Sequence, residues 1–389
     1  MSSLRLLRLM QASIVCVFLA FLVWGGYYVY EKGFGRRWRG LLAHEFKRFG
    51  LVINARRLTL DPFRGLIAQD VDIFQDEAMT NLLARVSNVS LDINYAALLQ
   101  HEPALNAVDL RDAQLSIPLP GNGPDPLRLQ VTGVQARIYF VPGRIEIRQL
   151  SGLALGIRCT ASGTLVNPAS YRPSYGGSPP VTGPSDRFLK GILTEIRQLH
   201  TTAGAPQLNF TFQGDMADLT SLRIQDGLFQ GRRIQRLGYE FAEIRAAFQY
   251  EQQRLEVRRL LARDTRNGEA LASGAWDFVS GRKTFNVRSN LDLAAFLGAD
   301  PRCTWARDWT FQHGPQVEMA GDVRADGRVR YLGTVACGPF TCRGVSFQNL
   351  RANFSKDGTS WMITDAEVGH STGTVTGEGL RRPGEFRVR

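Results

Sequence analysis

The sequence predicts a mainly β protein: a long, repetitive antiparallel β-sheet with one N-terminal transmembrane helix and one or two short amphipathic helices. Three observations predict it. Most of the chain beyond residue 50 falls into short runs in which apolar and polar side chains alternate, the pattern of strands with one dry and one wet face. A strand-like phrase, FAEIRAAF at 241–248, returns as FQNLRANF at 347–354. Near the N-terminus, MQASIVCVFLAFLVWGGYYVY (residues 10–30) runs 21 residues without a charge.

That uncharged run is long enough to cross a hydrocarbon core of ~30 Å at 1.5 Å per residue. Trp24, Tyr27, Tyr28 and Tyr30 gather at one end, where amphipathic rings favour the membrane interface. Residues 1–9 then form a short N-terminal tail and 10–30 an uncleaved anchor. A cleaved signal peptide is the rival reading, with Arg5 and Arg8 as its basic start, but Trp24 two before Gly26 spoils the small-x-small cleavage pattern. Net charge is +11, and residues 1–48 alone account for +6 of it. A nucleic-acid binder concentrates its charge on the folded body. Here the charge flanks the apolar run, so the expected partner is lipid and not nucleic acid. Six basic residues follow the run within 20 positions, a bias that by the positive-inside rule points the body inward, although long domains translocate largely regardless of charge.

Residues 31–126 read as an N-terminal β region. LVINARRLTL, LIAQDVDIF, VSNVSLDINY and LNAVDLRDAQLSI each alternate, and DPFRG at 61–65 is a turn signal. A first β repeat spans 127–166, a second 207–300 and a third 315–389. GVQARIYF, GRIEIRQL and TASGTL in the first correspond to FAEIRAAF, RLEVRRL, LASGAW and FNVR in the second. FQNLRANF, SWMITDA, VTGEGL and FRVR follow in the third, at spacings of about 106 to 111 residues. Between the first two lies a Pro/Gly/Ser-rich loop, 167–186, then an amphipathic helix over 187–200 with its apolar stripe on Phe188, Leu189, Ile192, Leu193, Ile196 and Leu199. A shorter helix is expected around DLAAFLGA, 292–299. In all, about 20 to 25 strands are expected.

So many half-apolar strands with so few helices leave one face to be covered. Either the sheet curls into a closed core, or it stays open as a trough whose dry face holds an apolar ligand. In the trough, Val134, Ala136, Ile138 and Phe140 of the first phrase line the groove. Ile244, Ala246 and Phe248 do so in the second, and Leu350, Ala352 and Phe354 in the third. Of the five cysteines, Cys16 lies in the apolar run, and Cys337 and Cys342 bracket GPFT, where a short loop between strand ends offers a local disulfide or two free thiols. The five histidines stand far apart, and no phosphate-cradling loop or Gly-x-Ser-x-Gly motif occurs. Neither catalysis nor a metal or other cofactor is expected.

The single membrane segment followed by LVINARRLTLDPFRGLIAQDVDI, LARVSNVSLDINYAALL and ALNAVDLRDAQLSIP resembles the opening of AsmA-like proteins of diderm bacteria, a group loosely related to TamB-type proteins. LTSLRIQDGLFQG, FQHGPQVEMAGDV and VTGEGL resemble their C-terminal repeats. The resemblance covers most of the chain from Leu4 onward and rests on apolar spacing, glycines and turn residues. It implies an inner-membrane anchor, an elongated, twisted β-sheet groove in the periplasm, and a role in phospholipid traffic or homeostasis. A span of ~200 Å between two membranes needs on the order of 40 strands at ~4.8 Å spacing. The strand count expected here is half that, which leaves room for an envelope protein partner or self-association. The alternative is a non-enzymatic scaffold or assembly factor of the envelope with a closed β core.

Overall fold

A computed structural model describes residues 52–61, 65–74, 79, 82–94, 105–118, 128–167, 199–383 and 385–389. The chain is mainly β. Its N-terminal strands are β1 (Val52–Asp61), β2 (Gly65–Phe74), β3 (Leu82–Ile93) and β4 (Leu105–Pro118), followed by β5 (Arg128–Val141), β6 (Arg144–Ala154) and β7 (Ile157–Val166). After β8 (Leu199–Thr201) come β9 (Gln207–Asp215), β10 (Asp218–Arg236), β11 (Tyr239–Glu251), β12 (Arg254–Asp264), β13 (Glu269–Asp277) and β14 (Lys283–Ser289). Helix α1 (Leu293–Gly298), a 3-10 segment (Pro301–Asp308) and β15 (Trp309–Phe311) lead to β16 (Gln316–Val323) and β17 (Val329–Cys337). The chain continues through β18 (Phe340–Cys342), β19 (Val345–Phe347), β20 (Asn349–Asp357), β21 (Ser360–His370), β22 (Gly373–Arg382) and β23 (Glu385–Val388).

Nineteen of these strands follow one another in a single twisted sheet: β1 to β7, then β9 to β14, β16, β17, and β20 to β23. Short β8 pairs with the far end of β10, beside β9. Every pair is antiparallel except β7–β9, which is parallel and so needs a crossover, the long connection from 167 to 206. Strand spacing of ~4.8 Å makes the sheet on the order of 90 Å along its hydrogen bonds. β15, β18 and β19 form a separate small sheet around stacked Trp309, Phe340 and Phe347.

The repeated phrases of the sequence fall on successive antiparallel strands. β5–β6–β7, β11–β12–β13 and β20–β21–β22 are each a three-stranded antiparallel meander, and β14 and β23 follow as next neighbours in the second and third. Tight turns set the hairpins. Leu155-Gly156 and Leu237-Gly238 each take two positive φ angles, the geometry whose twist matches the flanking strands. Glycine supplies the second position at no steric cost.

Strict alternation is corrected by the structure. In β2 the side chains on the apolar face are Leu66, Ala68, Val71 and Ile73, in β3 Ala84, Val86, Val89 and Leu91, and in β4 Val108, Leu110, Ala113 and Leu115. The spacing is two, three, two. One extra residue would throw the second half of each strand onto the wet face, so the backbone takes up the excess locally. Asp70 and Asp112 do this with positive φ, as do Asp226 in β10 and Asp365 in β21; short polar side chains tolerate that conformation best. β6 and β12 also take up an extra residue at equivalent places, but without a positive φ, skipping Arg148 between Ile147 and Leu150 and Arg258 between Val257 and Leu260. Each such bulge adds right-handed twist.

Other expectations meet the structure unevenly. Helix α1 falls on 292–299, with the Asp292 carboxylate accepting the Ala295 N–H as its N-cap. The expected helix over 187–200 fails at its end, where Leu199 and His200 pair with Arg236 and Gln235 as strand. The rest of that helix, residues 168–186 of the loop, the tail 1–9, the anchor 10–30 with Cys16, and residues 31–51 lie outside the described residues. Among the described residues no helix is long and apolar enough to cross a membrane. GPFT does not form a hairpin within one sheet: Cys337 closes β17 in the large sheet and Cys342 closes β18 in the small one, and both thiols are free. Burial pushes the Cys337 thiol pKa up.

Candidate functional site

Residues directly opposite in a ladder share a face of the sheet. Followed from partner to partner, one row crosses all nineteen strands. It starts at Ala55, Val71, Val86, Ala113 and Val134. Gly152 follows, a Cβ on which would sit 3.1 Å from Val134 Cγ2, and the row then passes through Cys159, Leu208, Phe229 and Ala246. From Leu260 it continues through Ala272, Val287, Met319 and Gly333. Phe354, Ile363, Gly379 and Val388 complete it. No member is charged. All ten candidate residues lie on this face: Val134 and Ala136 buried, Ile138 and Phe140 half-buried, Ile244, Ala246 and Phe248 half-buried, Leu350 and Phe354 half-buried and Ala352 buried.

Exposure along the face is graded. Toward β1–β5 its side chains form a conventional core, with Val86 at 0% and Leu91 at 1% exposed in a cluster of fourteen buried residues. Toward β21–β23 the same face opens: Trp361 is 39% exposed, Ile363 44%, Val375 68% and Val388 70%. These residues, with Ala366 and Val368, line an open groove of about 570 Å³. The opposite face carries ion pairs, among them Arg85–Asp72, Arg137–Asp109, Arg288–Glu318 and Arg330–Asp357. Such exposed pairs contribute little stability, but they keep that face wet.

Two margins of the apolar face differ. At one, α1 covers the strand ends: Phe296 meets Tyr239 and Phe241 edge-on at 5.3 and 6.0 Å, above Ile244 and Leu260. Beneath it the Tyr239 hydroxyl donates to Asp264 at 2.7 Å, and that carboxylate also accepts the N–H groups of Gly268 and Arg266. Burial, then the Asp264 hydrogen bond and charge, push the Tyr239 phenol well above its ordinary range. Burial alone raises the Asp264 pKa, but its hydrogen bonds, from the Tyr239 hydroxyl first and then from backbone N–H groups, outweigh that and hold it below the ordinary carboxylate value. Both groups are satisfied, so the pair is a clamp on the β12–β13 turn and not a reactive dyad.

The clamp carries a testable pH dependence. A depressed folded-state pKa contributes stability above the unfolded value of about 3.9, and this is lost as pH falls through the folded value. Tyr239→Phe is expected to cost about 1–2 kcal/mol at pH 7, and the deficit should shrink below about pH 4. Thermal melts of both proteins at pH 7 and pH 3 check this; a pH-independent difference contradicts it.

At the other margin aromatic rings crowd the face. Trp276 stacks on Phe278 at 4.9 Å, with Tyr250 5.9 Å from Phe278. Tyr331 meets Phe285, Phe354 and Trp361 at 6.5, 6.1 and 5.5 Å. Glycines make room for them: a Cβ on Gly227 would sit 2.5 Å from the Phe248 ring, and one on Gly333 2.7 Å from the Phe354 ring. Burial raises the Tyr250 and Tyr331 phenol pKa values. Phe248 and Phe354 were among the sequence candidates; the other rings were not, although Phe285 sits in FNVR and Trp361 in SWMITDA, both within the repeats. A polar cleft of about 590 Å³ lies near Asp264, Asp292 and His313, where Arg266 pairs with Asp292. Among the described residues no cluster has the donors for a metal ion.

No family profile, no curated protein and no solved structure matches this chain. The likeness to AsmA-like proteins therefore rests on the spacing of its apolar, glycine and turn residues alone.

Proposed function

We propose that this chain is a membrane-anchored periplasmic protein that binds and passes on phospholipid along the apolar face of its sheet, in outer-membrane biogenesis or lipid homeostasis. One observation carries the reading: an uncharged row crosses nineteen strands and becomes solvent-accessible toward β21–β23. The open end of that apolar face is an aggregation hazard without an apolar occupant. An acyl chain, about half of a ~30 Å hydrocarbon core in length, covers roughly three strand spacings, and burying each methylene contributes about 0.8 kcal/mol. No covalent chemistry is needed. The buried cluster of β1–β5 favours a second reading, an envelope scaffold with a protein partner or self-association, in which the same face is simply core.

Neighbouring side chains separate the two. Ile363 lies on the apolar face and Met362 on the opposite one, with nearly equal exposure of 44% and 47%. With a photoreactive benzoylphenylalanine at either place in the full-length protein in cells, a phospholipid adduct is expected at 363 and not at 362. Equal adducts at both places mean nonspecific membrane contact. A folded protein with none, or with protein adducts only, supports the scaffold instead.

A further inference from the structure

The aromatic margin of the apolar face carries cations whose placement differs from that of the charged residues on the other face. Lys283 stands opposite Trp276 and Val323, in line along β14 with Phe285 and Val287. Lys356 stands between Tyr331 and Trp361, and Arg381 is the next partner beyond Trp361. All three lie in rows of the apolar face. The Lys283 ammonium sits 3.8 Å from the Trp276 ring centroid, and that of Lys356 4.9 Å from Trp361 and 6.0 Å from Tyr331. Among the described residues none of the three pairs with a carboxylate. The nearby acids are engaged elsewhere: Asp357 holds Arg328 and Arg330, Asp322 faces Arg282, and Asp277 accepts the N–H groups of Val279 and Ser280.

We propose that this margin is a headgroup lip, in which Lys283 with Trp276 and Lys356 with Trp361 form two stations for the phosphate of a glycerophospholipid whose acyl chains lie on the adjoining apolar face. This rests on the reading of that face as a lipid surface and adds which side the headgroup takes and what recognises it. An ammonium over an indole keeps its remaining N–H donors free for an anion. An apolar wall beside it lowers the local dielectric and strengthens the contact. Tryptophan with a cation is also the pairing that suits the level of lipid headgroups. The stations are three strand spacings apart, from β14 through β16 and β17 to β20, or roughly 14 Å. That is close to the hydrocarbon depth of one leaflet, about 15 Å. Lipids lying end to end along the face would thus meet successive stations. Among the described residues the opposite margin, closed by α1 and its aromatic cluster, has no lysine over an indole ring.

The test uses the full-length protein with the photoreactive residue at 363, in vesicles of equal parts dioleoyl phosphatidylglycerol and dioleoylglycerol, which share their acyl chains. The ratio of the two adducts is read by mass spectrometry. The unsubstituted lip should favour phosphatidylglycerol by about tenfold over its share in the vesicle, the scale of one charge-assisted hydrogen bond. Lys283→Gln with Lys356→Gln should return the ratio to the vesicle's own, with total adduct retained. Lys283→Arg with Lys356→Arg should keep the preference. An unchanged ratio in the glutamine variant overturns the lip while leaving the lipid face standing. No adduct in any variant overturns the lipid face itself, and the lip with it.

Discussion

Ile363→Asp combined with Val375→Asp is expected to abolish lipid capture while leaving the sheet folded. Both side chains line the open groove at β21–β23 and are largely exposed there. Without lipid, each carboxylate stays hydrated, and the cost is that of a surface strand substitution, within about 1 kcal/mol. With lipid, the two carboxylates lie under acyl chains, where an unpaired charge must be dehydrated or neutralised. A penalty of about 3 kcal/mol in total, modest on the scale of buried polar groups, lowers affinity about a hundredfold. The measurement is phospholipid retained per protein against far-ultraviolet circular dichroism and melting temperature. Lost lipid with unchanged β content and a melting shift of a few degrees is the expected outcome. Retained lipid removes the groove as the site. Lost lipid with lost β content indicates that the C-terminal strands, like the N-terminal ones, use this face as core.

The sheet, its two faces and its repeats were legible because each is a matter of side-chain pattern. The Phe-x-x-(Ile/Leu)-Arg-Ala-x-Phe phrase puts its arginine, Arg245 or Arg351, on the polar face and its Ile244–Ala246–Phe248 or Leu350–Ala352–Phe354 set on the other. Alternation alone suffices for that. Where alternation was taken as strict, it misled. QDVDI, RDAQL and TDAEV share an aspartate just before an apolar-face residue, at the point where spacing lengthens from two to three, and Asp70, Asp112 and Asp365 all have positive φ. The signal was present in the letters, but it reads as a bulge only once register with the neighbouring strand is known. The headgroup lip was hidden for a related reason. Trp276 and Lys283 are seven residues apart and Lys356 and Trp361 five, and only pairing across a turn makes each a neighbour. Cys337 and Cys342 show the converse, because closeness in sequence does not keep them in one sheet. The parallel β7–β9 pair depends on a crossover whose Pro/Gly/Ser-rich composition says nothing of where it returns.

Val86→Asp should have the opposite consequence from the same face of the same sheet. Val86 stands between Val71 and Ala113 in the uncharged row, as Ile363 stands between Phe354 and Gly379, yet it is fully buried. Among the described residues a carboxylate there has no cation beside it to pair with, since its ladder neighbours are apolar. It must either ionise without solvent or take up a proton at neutral pH, a shift of several units at about 1.4 kcal/mol each. Lost packing of the valine adds to this. A total of about 5 kcal/mol rivals the whole stability of a typical domain. The N-terminal strands should then unfold cooperatively and become sensitive to protease, and part of the loss should be recovered at pH 4–5, where the carboxyl is neutral. Denaturant titrations of Val86→Asp at pH 7 and pH 4.5, beside the Ile363→Asp, Val375→Asp protein, measure the contrast. Equal stability in both would mean that the face is open throughout; equal collapse would mean that it is core throughout. The exposure gradient requires a difference, because one continuous apolar row is buried core at one end and solvent-exposed at the other, where the proposed lipid would bind.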